Sequence, residues 1–161
     1  MTFRFATESD CALILSFIRA LAEYEKKADQ VVATEETLRE WIFEKKKVEV
    51  LFVCDGEREA GYALFFHNFP SFIGRAGIYL EDLFVLPEYR GRGYGKALLS
   101  KVAQIAYERG CGSVEWFCLD WNRPSIDFYL SFGAVPMDDY TTYRLTGEKL
   151  KDAALQVKTE S

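Results

Sequence analysis

The sequence of 161 residues has a single histidine, His67, and four cysteines, none of them in a C-x-x-C pair. Structural zinc sites need several cysteine or histidine ligands at close spacing, and a Ser-His-Asp triad needs a suitably placed histidine. We therefore expect neither a metal nor triad chemistry. The cysteines stand among apolar residues, as is typical of reduced, buried thiols rather than disulfides. They are Cys11, Cys54, Cys111 and Cys118.

Long apolar runs and an excess of basic residues are also missing. No segment approaches the roughly 18 apolar residues of a membrane-spanning helix, and the first residues lack the apolar stretch of a signal peptide. The net charge of −5 disfavours nucleic acid as the main partner. With 49% hydrophobic and 28% charged residues, the composition is that of a folded, soluble protein. We expect one domain over residues 1–161, located in the cytoplasm and bound to neither nucleic acid nor membranes.

Strand and helix patterns interleave along the chain, and no repeat or linker divides it. Hairpin signals dominate the first half, and β-α-β patterns dominate the second half. This order predicts an α/β fold with a mixed sheet flanked by helices. The predicted helices are 10–27, a short one from Thr34, 95–109 and 124–132. The predicted strands are 48–54, 60–67, 77–85, 113–119 and about 141–145, with a polar tail after them.

A glycine-rich turn follows the predicted strand 77–85. Gly91, Gly93 and Gly95 let the backbone turn tightly and bring its N–H groups close to a ligand. The helix that begins here adds unpaired N–H groups and its positive dipole end, which together favour an anion such as pyrophosphate. Four basic residues and no acidic one lie between Arg90 and Lys101. The spacing of the glycines fits neither the dinucleotide fingerprint nor the Walker loop. The alternative to an anion-binding site is a glycine-rich turn with solvated arginines.

The segment 90–95, Arg-Gly-Arg-Gly-Tyr-Gly, matches the pattern R/Q-x-x-G-x-G/A. In this it resembles the GCN5-related N-acetyltransferases, and the resemblance extends to the branch that acetylates diamines such as spermidine, spermine or thialysine. It implies an acetyl-CoA-dependent N-acetyltransferase with a mixed, mostly antiparallel sheet, in which splayed strands open a cleft for acetyl-CoA. The segments that carry the resemblance are 21–25, 79–85, the glycine turn, 121–129 and 132–134.

Two adjacent carboxylates, Glu81 and Asp82, stand inside the apolar run 77–85. Neighbouring strand residues point to opposite faces unless a bulge intervenes, so at least one carboxylate is expected to be poorly hydrated. Poor hydration raises a carboxyl pKa and suits proton removal from an amine near neutral pH. The resemblance favours Glu81 as the general base, directly or through a water, with Asp82 adding charge for a cationic substrate. The alternative is a bulged strand in which one carboxylate pairs with an arginine.

Tyr129 belongs to the pattern Asn-x-Pro-Ser-x-x-x-Tyr, which begins at Asn122. A phenol can donate a proton to a departing thiolate and regain it from solvent, and the resemblance gives this acid role to Tyr129. A core tyrosine with a satisfied hydroxyl is the alternative. Asn122 is expected to cap the following helix and to contact the cofactor. Relatives often carry an acidic residue where this sequence has Arg123.

The other cofactor contacts follow from the resemblance alone. The pantetheine arm is expected to lie along strand 77–85 as though it were an added strand, and the segment 115–117 approaches from the other side of the cleft. The expected cofactor-binding residues are Leu83, Phe84, Val85, Arg90, Gly91, Arg92, Gly93, Tyr94, Gly95, Lys96, Glu115, Trp116, Phe117, Asn122, Pro124, Ser125 and Tyr129.

Tyr24 and Glu25 match the amine-binding pair of the resembled branch, and with Glu81 and Asp82 they form an expected acidic pocket for a small cationic amine. A solvated helix end is the alternative for Tyr24 and Glu25. Because the loop 68–75 departs from the polyamine enzymes, polyamines, thialysine and lysine-like amines all stay open as acceptors. A protein or peptide acetyltransferase and a non-catalytic coenzyme A-binding module are the alternative functions. The resemblance also implies a homodimer with C-terminal segments at its interface.

Overall fold

A five-stranded sheet carries the candidate site, and the computed structural model describes residues 1–157. The strands are β1 Thr2–Phe5, β2 Glu49–Asp55, β3 Arg58–Asn68, β4 Gly77–Val85 and β5 Val114–Glu115. They lie in the order β1-β2-β3-β4-β5. The first four pair antiparallel, and β5 pairs parallel with β4. The mixed, mostly antiparallel sheet expected from the sequence is thus confirmed.

Five α-helices accompany the sheet in the described part of the chain. They are α1 Cys11–Tyr24, α2 Glu35–Leu38, α3 Tyr94–Glu108, α4 Arg123–Ser131 and α5 Gly147–Ala154. A π-helical turn, Arg39–Glu44, continues α2, and short 3-10 turns lie at Glu8–Asp10, Ala28–Gln30 and Pro87–Tyr89. No helix within residues 1–157 is both long enough and apolar enough to span a bilayer.

The chain divides into two compact units. The first, Met1–Leu119, contains the whole sheet with α1, α2 and α3, and the second begins at Asp120 and contains α4 and α5.

The first unit buries apolar side chains on both faces of its sheet. Ile14 and Phe17 of α1 pack with alternate strand residues such as Phe52 and Tyr62 in one cluster. The intervening strand residues, for example Leu51, are buried on the opposite face. There α3 packs against β2, β3 and β4, and its apolar stripe is buried. This stripe consists of Leu98, Leu99, Val102, Ile105 and Ala106.

The central strands and α3 agree with the sequence-based prediction, and both bounds of β4 coincide with the predicted range 77–85. The predicted strand 113–119 is shortened to Val114–Glu115, because only two of its residues pair with β4. The segment 141–145 is not a strand in the described structure, since β propensity without a neighbouring strand does not produce a ladder. The four-residue strand β1 was not predicted.

The helix α5 was also missed, because the tail was interpreted as polar and irregular. Thr146 at the N-cap position and Glu148 in the first turn are helix-start signals that the sequence does contain.

Candidate active site

A bulge in β4 separates the two carboxylates. Leu64 of β3 lies opposite Asp82 while Phe65 lies opposite Leu80, so Glu81 is the extra residue. Asp82 therefore shares a face with Leu64, on the side packed by α1, whereas Leu80 shares the other face with Phe65. Without the bulge, Leu80 and Asp82 would lie on the same face.

The bulge leaves Glu81 exposed and Asp82 half-buried. Burial is the largest influence on Asp82 and raises the pKa of its carboxyl to about 6, with the negative charges of Glu81 and Glu25 adding to the rise. The hydrogen bond from Tyr62 acts in the opposite direction. One poorly hydrated carboxylate was expected from the sequence, and it is Asp82; its partner is a tyrosine rather than the arginine of the alternative interpretation.

Tyr62, a buried residue of β3, forms a hydrogen bond with Asp82. Its side chain is 0% exposed, and its hydroxyl donates to Asp82 Oδ2 at 2.7 Å. Burial first, and then the charge of Asp82, raise the pKa of the Tyr62 phenol well above its usual range. Tyr62 therefore remains a protonated donor, and no sequence signal had singled it out.

The C-terminal end of α1 brings two further residues to this region. Tyr24 is the last residue of α1 and Glu25 is its C-cap. The Tyr24 ring lies 6.2 Å from the ring of Phe84, centroid to centroid. Burial raises the pKa of Glu25, and Lys27 partly offsets the rise. Because Glu25 also raises the pKa of Asp82, the predicted acidic group of Glu25, Glu81 and Asp82 is brought together in the first unit.

The glycine turn has two positions that require glycine. Gly91 and Gly93 have φ values of +74° and +85°, in the left-handed region, and a Cβ on either would meet nothing within 4 Å. Gly95 is helical, and a Cβ there would make an ordinary contact with Val85 Cγ2 at 3.8 Å. The Ala97 N–H donates to the Gly93 carbonyl at 3.0 Å. The preceding N–H groups, at the start of α3, therefore have no acceptor within the helix.

The two arginines of the turn are engaged with the protein rather than only solvated. Arg90 donates from Nε to the Val85 carbonyl at 2.9 Å, and its guanidinium lies over the rings of Tyr24 and Phe84 at 4.9 and 5.0 Å. Arg92 lies 3.5 Å from Asp55 and over the rings of two tyrosines of the turn, Tyr89 and Tyr94. Arg90 thus links the glycine turn to the end of α1, a contact that the sequence pattern did not predict.

The sheet opens between β4 and β5. Their pairing is limited to Ile78 with Val114 and Tyr79 with Glu115. From residue 80 onward β4 pairs with β3 on one edge, and no other described strand pairs with its second edge. The chain leaves β5 through Trp116 and Phe117, and the Phe117 ring lies 6.2 Å from that of Tyr79. These are the splayed strands that the resemblance implied.

The second unit contains the remaining candidate residues on α4. Asn122 is buried at its N-cap position, where its backbone carbonyl accepts from the Ile126 N–H at 3.0 Å, while its side chain does not form the capping bond expected from the sequence. Arg123 pairs with Asp127 one helical turn later at 3.0 Å. Tyr129 is half-buried, with its ring 5.5 Å from that of Phe128. Pro124 and Ser125 lie in the first turn of the helix.

Replacing Asp82 with asparagine is expected to stabilise the fold at neutral pH. The native pKa of about 6 exceeds the ordinary value of 3.8, so ionisation of Asp82 destabilises the native state progressively between these pH values and fully above them. The amide oxygen of the asparagine would still accept the Tyr62 hydrogen bond. Thermal or urea unfolding at pH 8 should show a gain of up to about 3 kcal/mol, which disappears below pH ~4.

Glu49→Gln is the matched control for this stability change. Two hydrogen bonds from Arg109, at 2.7 and 2.8 Å, lower the pKa of Glu49. Ionisation of Glu49 therefore has the opposite effect on the free energy of unfolding. It stabilises the fold above the ordinary carboxyl pKa, and this stabilisation is lost in acid. A loss of stability at pH 8 in both variants would contradict the assigned burial of Asp82.

Comparison with known proteins identifies the class of protein. The model of the acetyltransferase (GNAT) family matches residues 15–134, which include the glycine turn, α4 and most of α1. The chain belongs to this family and is an acetyl-transferring enzyme. In the described residues, no group of three or more His, Cys, Asp or Glu side chains is placed to hold a metal ion.

Individual relatives indicate which branch of the family the chain resembles. The chain is 39% identical over 163 residues to a thialysine N-ε-acetyltransferase of Bos taurus, covering 94% of this chain and 95% of that protein. It is 31% identical over 194 residues to an L-ornithine N5-acetyltransferase of Arabidopsis thaliana, covering 92% and 85%. The solved structure of an integron cassette protein from the V. cholerae mobile metagenome is similar with a TM-score of 0.78, at 27% identity, over 95% of this chain and 96% of that one. These similarities confirm the predicted diamine acetyltransferase branch.

Proposed function

We propose that the protein transfers the acetyl group of acetyl-CoA to a primary amine of a small cationic acceptor. The observation that carries this proposal is the group of three carboxylates at the end of α1 and the bulge of β4, in which the charges of Glu25 and Glu81 both raise the pKa of Asp82. Carboxylates held near each other favour a ligand with ammonium groups. Thialysine and L-ornithine, named for two relatives, are amines of this kind.

The glycine turn and the open edge of β4 fit acetyl-CoA, which supplies the thioester that the amine attacks. Gly91 and Gly93 leave open space above the start of α3, where N–H groups and the helix dipole favour a diphosphate. Leu83, Phe84 and Val85 present a strand edge to the pantetheine arm. The other proposed contacts are Arg90, Arg92, Tyr94, Gly95, Lys96, Glu115, Trp116 and Phe117 in the first unit, and Asn122, Pro124, Ser125 and Tyr129 in the second.

The proposed chemistry needs two proton movements. The acceptor enters as an ammonium ion and must lose a proton to a carboxylate before it can attack, and Glu81 is the base that the sequence favours. The departing thiolate takes a proton from Tyr129. The phenol regains a proton from solvent, which receives the second proton that the amine nitrogen loses when the amide forms. No net charge then accumulates at the reacting atoms.

Direct attack, without a covalent acyl-enzyme, agrees with the state of the cysteines. A cysteine nucleophile acts as the thiolate, which a lowered pKa favours. Burial instead raises the thiol pKa of Cys11 and of Cys54. Cys111 and Cys118 are half-buried and form no disulfide within residues 1–157.

Gly93→Ala is expected to weaken acetyl-CoA binding about tenfold, because an alanine in the left-handed region is strained by about 1–2 kcal/mol and the turn relaxes away from its native φ of +85°. Isothermal titration calorimetry with acetyl-CoA measures the change. Gly110→Ala is the matched control, since Gly110 also has a positive φ, +74°, with open space at its Cβ, but lies just beyond the other end of α3. Equal loss of affinity in both variants would contradict the assigned role of the turn.

A panel of amines assayed for thiol release tests the proposed function. Thialysine, lysine, ornithine, spermidine, spermine and short peptides are incubated with acetyl-CoA and the enzyme, and the products are identified by mass spectrometry. Acetylation of a small diamine is the expected result. Reaction with peptides alone would identify a protein acetyltransferase, and acetyl-CoA binding without thiol release from any acceptor would identify a binding module.

We further propose that both units act as one acetyltransferase domain and that the protein is a homodimer. The family match runs without interruption across the boundary at residues 119 and 120. The segment after α4 has exposed apolar side chains that suit a partner surface. They are Val135, Met137, Tyr140, Tyr143 and Leu145. Sedimentation equilibrium measures the oligomeric state.

A further inference from the structure

We propose that Arg90 is a positioning residue for the acceptor side of the site, which holds Tyr24 against the end of β4 without contacting the amine itself. This inference deepens the proposed function and rests on it, because Tyr24 and Glu25, at the end of α1, are the proposed amine-binding pair. It gives the arginine of the glycine turn a second role besides its proposed contact with acetyl-CoA.

The side chain of Arg90 is anchored at the C-terminal end of β4. Its backbone is extended, with φ −70° and ψ 156°, just before Gly91 turns into the left-handed region. From this position Nε donates to the Val85 carbonyl at 2.9 Å. Because a guanidinium is planar and rigid, a hydrogen bond at Nε restrains the position of its face.

Two aromatic rings from different elements lie against this guanidinium. Its Cζ is 4.9 Å from the centroid of the Tyr24 ring and 5.0 Å from that of the Phe84 ring. The two ring centroids are 6.2 Å apart, and the ring planes are inclined at 55°. These separations are those of cation–π and aromatic contacts. Since Phe84 is buried in the core cluster, Arg90 and Phe84 together hold the Tyr24 ring to a fixed part of the sheet.

The position of Tyr24 matters because α1 ends there. Tyr24 is the last residue of the helix, Glu25 is its C-cap, and Lys26 already has a positive φ of 60°. The backbone of a helix end is restrained by fewer hydrogen bonds than the helix interior, so a contact with another element helps to fix it. A displacement of Tyr24 would move the adjacent Glu25, whose charge acts on Asp82. Arg90 therefore acts on amine binding through Tyr24 and Glu25.

Arg92 provides a matched comparison within the same turn. Its guanidinium lies over the rings of Tyr89 and Tyr94 at 5.6 and 5.5 Å, and it pairs with Asp55 at the end of β2 at 3.5 Å. Arg92 thus has an aromatic environment similar to that of Arg90, but these contacts are with the turn itself and with β2. A substitution at Arg92 removes the same charge without releasing the end of α1.

Arg90→Gln removes the cation from both rings, while the amide nitrogen of glutamine stands at the same position along the side chain as Nε and can donate to the Val85 carbonyl. At saturating acetyl-CoA, KM for a diamine should rise about three- to tenfold, with kcat within about twofold of the wild type. Loss of a positive charge alone would attract the cationic amine more strongly and lower KM. Arg92→Gln should therefore weaken acetyl-CoA binding and leave KM for the diamine unchanged or lower.

A double-mutant cycle with Tyr24→Leu tests whether the effect passes through the Tyr24 ring. When Tyr24 is already leucine, Arg90→Gln should change KM for the diamine by less than about twofold. The same cycle on the melting temperature, measured without substrates, should also be non-additive. Additive effects in either cycle, or a KM that does not rise in Arg90→Gln, would overturn this inference alone. A wild-type protein that acetylates no amine would overturn the proposed function, and the acceptor-side role with it, even if the melting-temperature cycle stayed non-additive.

Discussion

Tyr129→Phe is expected to lower kcat by about 10²–10⁴-fold while the affinity for acetyl-CoA stays nearly unchanged. The substitution removes only the hydroxyl that we propose protonates the departing thiolate. The ring, which lies 5.5 Å from that of Phe128 on α4, keeps its packing. Steady-state kinetics with a reactive amine and calorimetric titration with acetyl-CoA separate the two effects.

Tyr107→Phe is the matched control for this variant. Tyr107 lies on α3 and its side chain is 87% exposed, so loss of its hydroxyl should change neither rate nor binding. The acid role of Tyr129 predicts that kcat and kcat/KM fall together, because the missing interaction is made only as the thiolate leaves. Wild-type turnover in Tyr129→Phe would contradict that role.

Local patterns predicted the parts of the fold that depend on local physics. β4 is a continuous apolar run bounded by a glycine and a proline, and both of its ends were predicted correctly. The helix α3 follows from its apolar spacing, and the turn before it follows from glycines that adopt positive φ. The length over which β5 pairs with β4 depends on distant segments. For this reason the strand predicted at 113–119 was too long.

In the candidate site, too, the features that depend on local sequence were predicted and those that depend on distant segments were not. The pattern of residues identified Glu81 and Asp82 as a chemically unusual pair, but it could not decide which of them is buried. That depends on where β3 and β4 slip by one residue, between Leu64 and Phe65, and a bulge leaves no mark in an apolar run. Tyr62 was one tyrosine among nine, and its contact with Asp82 spans 20 positions of the chain.

Arg90 makes contacts within the protein that the glycine pattern did not predict. The glycine pattern placed it with the cofactor, and its cation was expected to face an anion. In the structure its side chain lies over Tyr24 and Phe84 and donates to the Val85 carbonyl. It therefore links the glycine turn to Tyr24 at the end of α1.

Asp82→Asn and Glu81→Gln are expected to differ strongly in activity. If Glu81 accepts the ammonium proton, Glu81→Gln lowers kcat/KM by about 10²–10⁴-fold. Asp82→Asn should mainly raise KM for the amine, by less than about tenfold, because it removes one negative charge that attracts the cationic acceptor. In the wild type this charge is lost as the pH drops through about 6, where Asp82 becomes protonated, so KM for the amine should rise there, and the asparagine variant should lack that rise.

Rates across pH 5 to 9 for the wild type and both variants, with saturating acetyl-CoA, make the comparison. A substitution that only weakens the attraction for the cationic acceptor raises KM and leaves kcat nearly unchanged, whereas loss of the base lowers kcat. If instead Asp82→Asn shows the larger loss of kcat and Glu81→Gln changes mainly KM, Asp82 is the base and Glu81 serves to attract the ammonium group.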